Sequence, residues 1–156
     1  MELTEEEFTA RKEKAKTLYS AQSSIHCPYF AKHIVLNSDG FHHLQFSARR
    51  LRDRKEQVLK FKLLPLALEV IRKAGTVQEY RDCFIEVGKK SSRGETSMKR
   101  AQFWGFDALV GNDKIKIRTV IRQVGDGHIT FWSVMPLVKL KKGSNRKLFT
   151  EGIEDN

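Results

Sequence analysis

Hydrophobic positions along the chain change their period once, near residue 80, and the change separates a helical half from a stranded half. Thr4 followed by Glu7 reads as a capping box, and Phe8, Ala15, Leu18 and Tyr19 recur at helical spacing. A first helix is therefore predicted over 3–22. Cys27-Pro28 breaks that segment, His33 to Leu36 reads as a short extended piece, and Ser38-Asp39-Gly40 opens the turn that carries Phe41 to Phe46. After Arg49, Arg50, Arg52, Arg54 and Lys55 come Val58, Leu59, Phe61, Leu63 and Leu64, then Pro65, then Leu66, Leu68, Val70 and Ile71 up to Gly75. This predicts a helical region over 38–75, with two pieces joined at Pro65 or one helix kinked there.

From Tyr80 the apolar residues alternate, and glycine-rich turns punctuate them. Strands are expected at 80–89, 101–110, 115–124 and 128–138. The predicted fold is α+β, with N-terminal helices packed on one face of a four-stranded antiparallel sheet. A single domain over 1–140 and a flexible tail over 141–156 complete the expected organisation. The turn Gly111-Asn112-Asp113-Lys114 aligns Val110 with Ile115, Ala108 with Ile117, Phe106 with Thr119 and Trp104 with Ile121. A three-residue turn at Gly125-Asp126-Gly127 then pairs Ile121 with Phe131, Thr119 with Ser133, Ile117 with Met135 and Ile115 with Leu137. These residues make one apolar face for the helices. Alternation assigns Phe103, Gly105, Asp107, Lys116, Arg118, Val120, Arg122, His128, Thr130 and Trp132 to the other face, with open space beside Gly105 for a flat ring.

Charge gives that second face a meaning. The 156 residues carry 29 Lys and Arg against 19 Asp and Glu, a formal net charge of +10. Such an excess recruits polyanions, and cations interleaved with aromatic rings suit RNA, whose phosphates need neutralising and whose unpaired bases stack. Bland alternatives stand beside this: Arg118 pairing with Asp107 across strands, and Trp132 and Phe103 packing under a loop. Apolar stretches are interrupted by Lys or Arg before membrane-spanning length, and the start of the chain is acidic, so a cytoplasmic protein without a membrane partner is expected. Cys27 and Cys83 are isolated and read as reduced thiols, with no metal-ligand spacing. Nucleotide-binding glycine loops, zinc-protease motifs and the nucleophile elbow of α/β-hydrolases are absent.

His42 and His43 sit between Phe41 and Leu44, so a helix points one imidazole toward the apolar side and the other away. An imidazole with arginines nearby suits acid–base cleavage of RNA, in which the 2′-hydroxyl loses a proton, the 5′-oxygen gains one and the phosphorane needs fixed positive charge. That reaction needs no metal or other cofactor.

Phe41-His42-His43-Leu44 with Arg49-Arg50 downstream, Ile117-Arg118-Thr119-Val120-Ile121-Arg122, and Ile129-Thr130-Phe131-Trp132-Ser133-Val134 together give the chain a family likeness. It resembles the phage-associated branch of the barnase, EndoU, colicin and RelE-like (BECR) nucleases over most of residues 30–138. The resemblance implies helices followed by a four-stranded antiparallel sheet, and a metal-independent endoribonuclease acting as a toxin or as a phage or mobile-element effector. It implies catalytic positions at His43, Arg118, Arg122 and Thr130 or Ser133, with the adjacent His42 kept as a catalytic candidate from the histidine pair itself. Strand parity favours Thr130, which shares the basic face, over Ser133. Lys116, Trp132, Phe103, Arg49, Arg50 and Ser133 are the candidate substrate-binding residues, and an acidic antitoxin or immunity protein is a candidate partner. Two readings without catalysis fit the same charge: an RNA- or DNA-binding module, and a basic adaptor for an acidic protein.

Overall fold

A computed structural model describes residues 2–47, 50–112 and 114–137. Helix α1 spans Glu5–Ser20, and both hydrogen bonds of its capping box form, Glu7 N–H to Thr4 Oγ1 at 3.2 Å and Thr4 N–H to Glu7 Oε2 at 2.9 Å. Two four-residue strands follow, β1 (Ser24–Cys27) and β2 (Lys32–Val35). Helix α2 covers Ser38–Gln45 and helix α3 covers Arg54–Lys73. The chain then forms β3 (Glu79–Val87), β4 (Ser97–Val110), β5 (Ile115–Val124) and β6 (Ile129–Pro136). Pro65 lies inside α3, which continues through it as one helix.

The sheet corrects the expected architecture. It has six strands in the order β1-β2-β6-β5-β4-β3 and is mixed, because β2 pairs with β6 in parallel at Val35–Thr130. The expected four antiparallel strands are β3 to β6; the hairpin β1–β2 adds to the free edge of β6. β2 falls on the short extended piece expected from His33 to Leu36; β1 is equally short with His26 exposed, and no apolar run announces it or the pairing of the two. The expected tail over 141–156, the end of the last expected strand and Arg49 lie outside the described residues.

Helices cover one face of the sheet. Phe61, Leu64, Leu68 and Ile71 of α3 share a core with Trp104, Phe106, Ile117, Ile121, Phe131 and Val134. Between β4 and β5 the register is the one the turn predicts: Val110 faces Ile115, Ala108 Ile117, Phe106 Thr119 and Trp104 Ile121. Between β5 and β6 it departs. Ile121 faces Phe131, but the register shifts between Val120 and Ile121, so Thr119 faces Val134 rather than Ser133 and Ile117 faces Pro136 rather than Met135. One extra residue in β6 is a β-bulge. The uncovered face is less cationic than alternation implies, since Ala101, Phe103 and Val120 are buried there among Cys83, Ile85, Val124, Trp132 and Met135.

α2 lies closer to β6 than a side chain would allow. A Cβ on Gly40 would stand 2.5 Å from the Phe131 carbonyl oxygen and 2.7 Å from Tyr19 Oη. Tyr19 fixes the start of this helix by donating to the Asn37 carbonyl at 2.6 Å, and its ring packs against Phe41 and Phe131. Gly40→Ala is therefore expected to cost about 2–3 kcal/mol through overpacking, a fall of roughly 4–12 °C in the melting temperature. Thermal unfolding checks this; an unchanged melting temperature would mean that α2 can rise off the sheet freely. Among the described residues no helix is long and apolar enough to cross a membrane.

Candidate functional site

The site forms where β2 ends and α2 takes its place along β6. On α2 the residues at helical spacing from Gly40 turn inward, so His43 and Leu44 are buried while His42 faces out. The His43 ring stacks on Trp132 of β6, with centroids 3.9 Å apart and planes 18° from parallel. The Arg122 guanidinium lies 3.4 Å from the Trp132 ring centroid. Two planar groups cannot share one indole face at those distances, so His43 covers one face of Trp132 and Arg122 the other.

A tight return of the chain brings a second arginine to His43. Phe46 bridges to Leu51, Ser47 N–H donates to the Arg50 carbonyl at 2.8 Å, and Arg52 N–H donates to the Gln45 carbonyl at 2.8 Å. Arg52, 4% exposed, then donates through Nε to the His43 carbonyl at 3.1 Å and approaches His43 Nε2 with Nη2 at 3.4 Å. A guanidinium has no acceptor, so in this contact Nε2 accepts, and the neutral ring carries its proton on Nδ1. Gln57 steadies the return by donating to the Arg52 carbonyl at 2.7 Å.

α3 supplies a third buried cation-forming group. Lys60, 4% exposed, donates to Ser133 Oγ at 3.1 Å and to the Val134 carbonyl at 2.6 Å. Burial, with Arg52 nearby, pushes its pKa down to about 7, against a smaller upward pull from Glu56. Burial also lowers Arg122 to about 10, partly offset by Asp39, and lowers Arg52 despite Glu56. Glu56 lies 3.9 Å from Arg52 and 3.6 Å from Arg50. Buried nitrogen bases thus converge on few carboxylates. Two of the donors here, Arg122 Nε and Trp132 Nε1, are buried without a hydrogen-bond partner among the described residues. Such an arrangement favours an anionic oxygen.

The structure brings together His43, Arg122, Thr130, Trp132 and Ser133 of the residues singled out by sequence. Thr130 faces Arg122 and donates through Oγ1 to its carbonyl at 3.2 Å. Ser133, buried on the helix side, accepts from Lys60. His42 stacks on Phe46 at 4.3 Å on the outer side of α2, beside a shallow depression of about 420 Å³ lined by Ser38, Asp39, Phe41 and Gln45. Arg50 is exposed and donates to the Leu51 carbonyl. Arg118 stands apart: it holds Asp107 through two hydrogen bonds of 2.6 and 3.0 Å and also ion-pairs with Glu79. Asp107 first, and Glu79 with it, hold its pKa above the ordinary arginine value. Its side chain fills the space expected beside Gly105, where a Cβ would meet Arg118 Cδ at 3.1 Å. Lys116 is exposed opposite Leu109, and Phe103 is buried, so neither joins the cluster.

Sequence reasoning passed over Arg52, Gln57 and Lys60. A signal existed for two of them: Gln57 and Lys60 fall on the helical stripe continued by Phe61, Leu64, Leu68 and Ile71, where a polar residue is out of place. No protein-family model, curated protein or solved structure matches the chain.

Proposed function

We propose that the chain is a metal-independent ribonuclease, acting in the cytoplasm, that cleaves RNA by attack of the 2′-hydroxyl. The observation that carries this reading is the stack of His43, Trp132 and Arg122 with Arg52 on the imidazole nitrogen. Once Arg52 Nη2 turns from Nε2 to the phosphate, His43 Nε2 has its lone pair free and takes the proton of the 2′-hydroxyl as that oxygen attacks phosphorus. The P–O5′ bond then breaks, and the 5′-oxygen leaves with a proton from water. Arg122 and Arg52 supply the fixed positive charge that the phosphorane needs. Thr130 holds the backbone of Arg122, and Trp132 keeps the imidazole and guanidinium apart on its two faces. Arg118, neutralised by two carboxylates, serves the sheet rather than the phosphate.

Purified protein is expected to cut single-stranded RNA in EDTA, leaving 2′,3′-cyclic phosphate and 5′-hydroxyl ends. Intact RNA after prolonged incubation at micromolar protein would overturn the assignment. A non-catalytic RNA-binding module is the second reading, favoured by the burial of His43 to 4% exposure. Salt-dependent binding of RNA that is never cut would establish it.

A further inference from the structure

The bulge in β6 has a clamp, and the clamp is a lysine. A bulge leaves two successive side chains on one side of the sheet and disturbs the ladder beside them. Here Ser133 and Val134 both turn to the helix side, and the Val134 carbonyl accepts from Lys60 of α3. Pairing is regular on either side, Ile121 with Phe131 and Thr119 with Val134, so the irregularity is confined to the residues next to Trp132. A lysine on the buried stripe of a helix is costly there, and leucine would fill the stripe better. Its position is explained by what it holds.

We propose that Lys60 is a positioning residue of the candidate site: reaching from α3 into the bulge of β6, it sets the orientation of the Trp132 ring between His43 and Arg122. This rests on the reading of that stack as the site. Lys60 touches no reacting atom; it acts through Trp132. The charged groups around it are Arg52 from the return before α3 and Glu56 from α3, while β6 offers the hydroxyl of Ser133 and the carbonyl of Val134, which face Val120 and Thr119 of β5. Because its ordinary value of 10.5 falls to about 7 in the fold, Lys60 gains its proton near neutrality, and the clamp changes state there.

The experiment follows the indole N–H of Trp132 by two-dimensional NMR in the full chain, with Trp104, the other of two tryptophans, as internal control. In Lys60→Met the Trp132 signal is expected to move or broaden while that of Trp104 stays. In the native chain and in His43→Asn it is expected to titrate near pH 7, and in Lys60→Met to lose that step. Cleavage of RNA should fall about 10²-fold in kcat, as for a displaced reacting group, with KM within about twofold. Ser133→Ala, which removes one acceptor of Lys60, should shift the same signal in a smaller degree and serves if Lys60→Met fails to fold. An unmoved Trp132 signal in the folded variant overturns the proposal. Native protein that cuts no RNA overturns the ribonuclease reading alone, since the indole signal still reports the clamp.

Discussion

Replacing His43 by alanine is expected to lower RNA cleavage by about 10²–10⁴-fold, the range of a positioned general acid or base, while His42→Ala stays within about threefold of the native rate. The two residues are neighbours in sequence and opposites in setting. His43 is buried against Trp132 with Arg52 on its Nε2, whereas His42 is exposed on the outer side of α2 over Phe46. Only the former is joined to buried cations. Loss of the imidazole also leaves Arg52 Nη2 without that acceptor, which costs roughly 1–3 kcal/mol of stability. Rates must therefore be compared under single-turnover conditions at a temperature where circular dichroism shows both variants folded. Equal rates for folded His43→Ala and native protein would remove His43 from the chemistry. A large loss in His42→Ala would instead move the reaction to the outer side of α2.

How much of this was legible in the sequence depends on the range of the interaction involved. The β4–β5 register follows from a local turn and an alternation of apolar residues, so it can be read directly. One extra residue in β6 is a different matter. It is held by Lys60, 73 positions earlier, and no local pattern reports such a contact. The consequence reaches the face assignments, because Ser133 turns inward as alternation predicts but faces Val120 in the ladder instead of Thr119. Of the hairpin β1–β2, the extended piece from His33 to Leu36 was legible, but β1 and the pairing to β6 were not. Each strand is four residues long with exposed polar positions, and β2 joins β6 through the parallel pair Val35–Thr130, which no alternation within so short a strand reports.

The candidate site divides along the same line. His43 could be seen as one of two histidines but not chosen, since the choice depends on Gly40 letting α2 touch β6. Arg122 and Thr130 are opposite each other as the turn implies. Arg52 belongs to a basic run whose members look alike in sequence, and only the return at residues 46–52 singles it out. Arg118 and Arg122 likewise share one strand face and one chemistry on paper. Asp107, opposite Arg118 across β4 as the turn implies, and Glu79, 39 residues earlier, are what separate their roles.

That separation can be measured. Arg122→Gln is expected to reduce RNA cleavage by about 10²–10³-fold, the loss seen when one preorganised donor to a developing oxyanion is removed. Its effect on stability should be small: a cation stacked on an indole contributes roughly 0.5–2 kcal/mol, and removal of a charge that burial disfavours offsets part of that. Arg118→Gln should behave in the opposite way. Asp107, whose side chain is 14% exposed, would lose its arginine, while Glu79, 22% exposed, would keep only Arg81. Stranding partly buried charges costs about 3 kcal/mol, which lowers the melting temperature by roughly 6–12 °C, yet cleavage at a temperature where the variant is folded should remain within about threefold of native. The two arginines lie four residues apart on β5, about 13 Å along the strand, too far for both to grip one phosphate group from fixed positions. Thermal unfolding and single-turnover cleavage on the same two proteins decide between the assignments. If Arg118→Gln instead loses activity while keeping its melting temperature, the phosphate lies on the β4–β5 side of the sheet, and the His43 stack is structural.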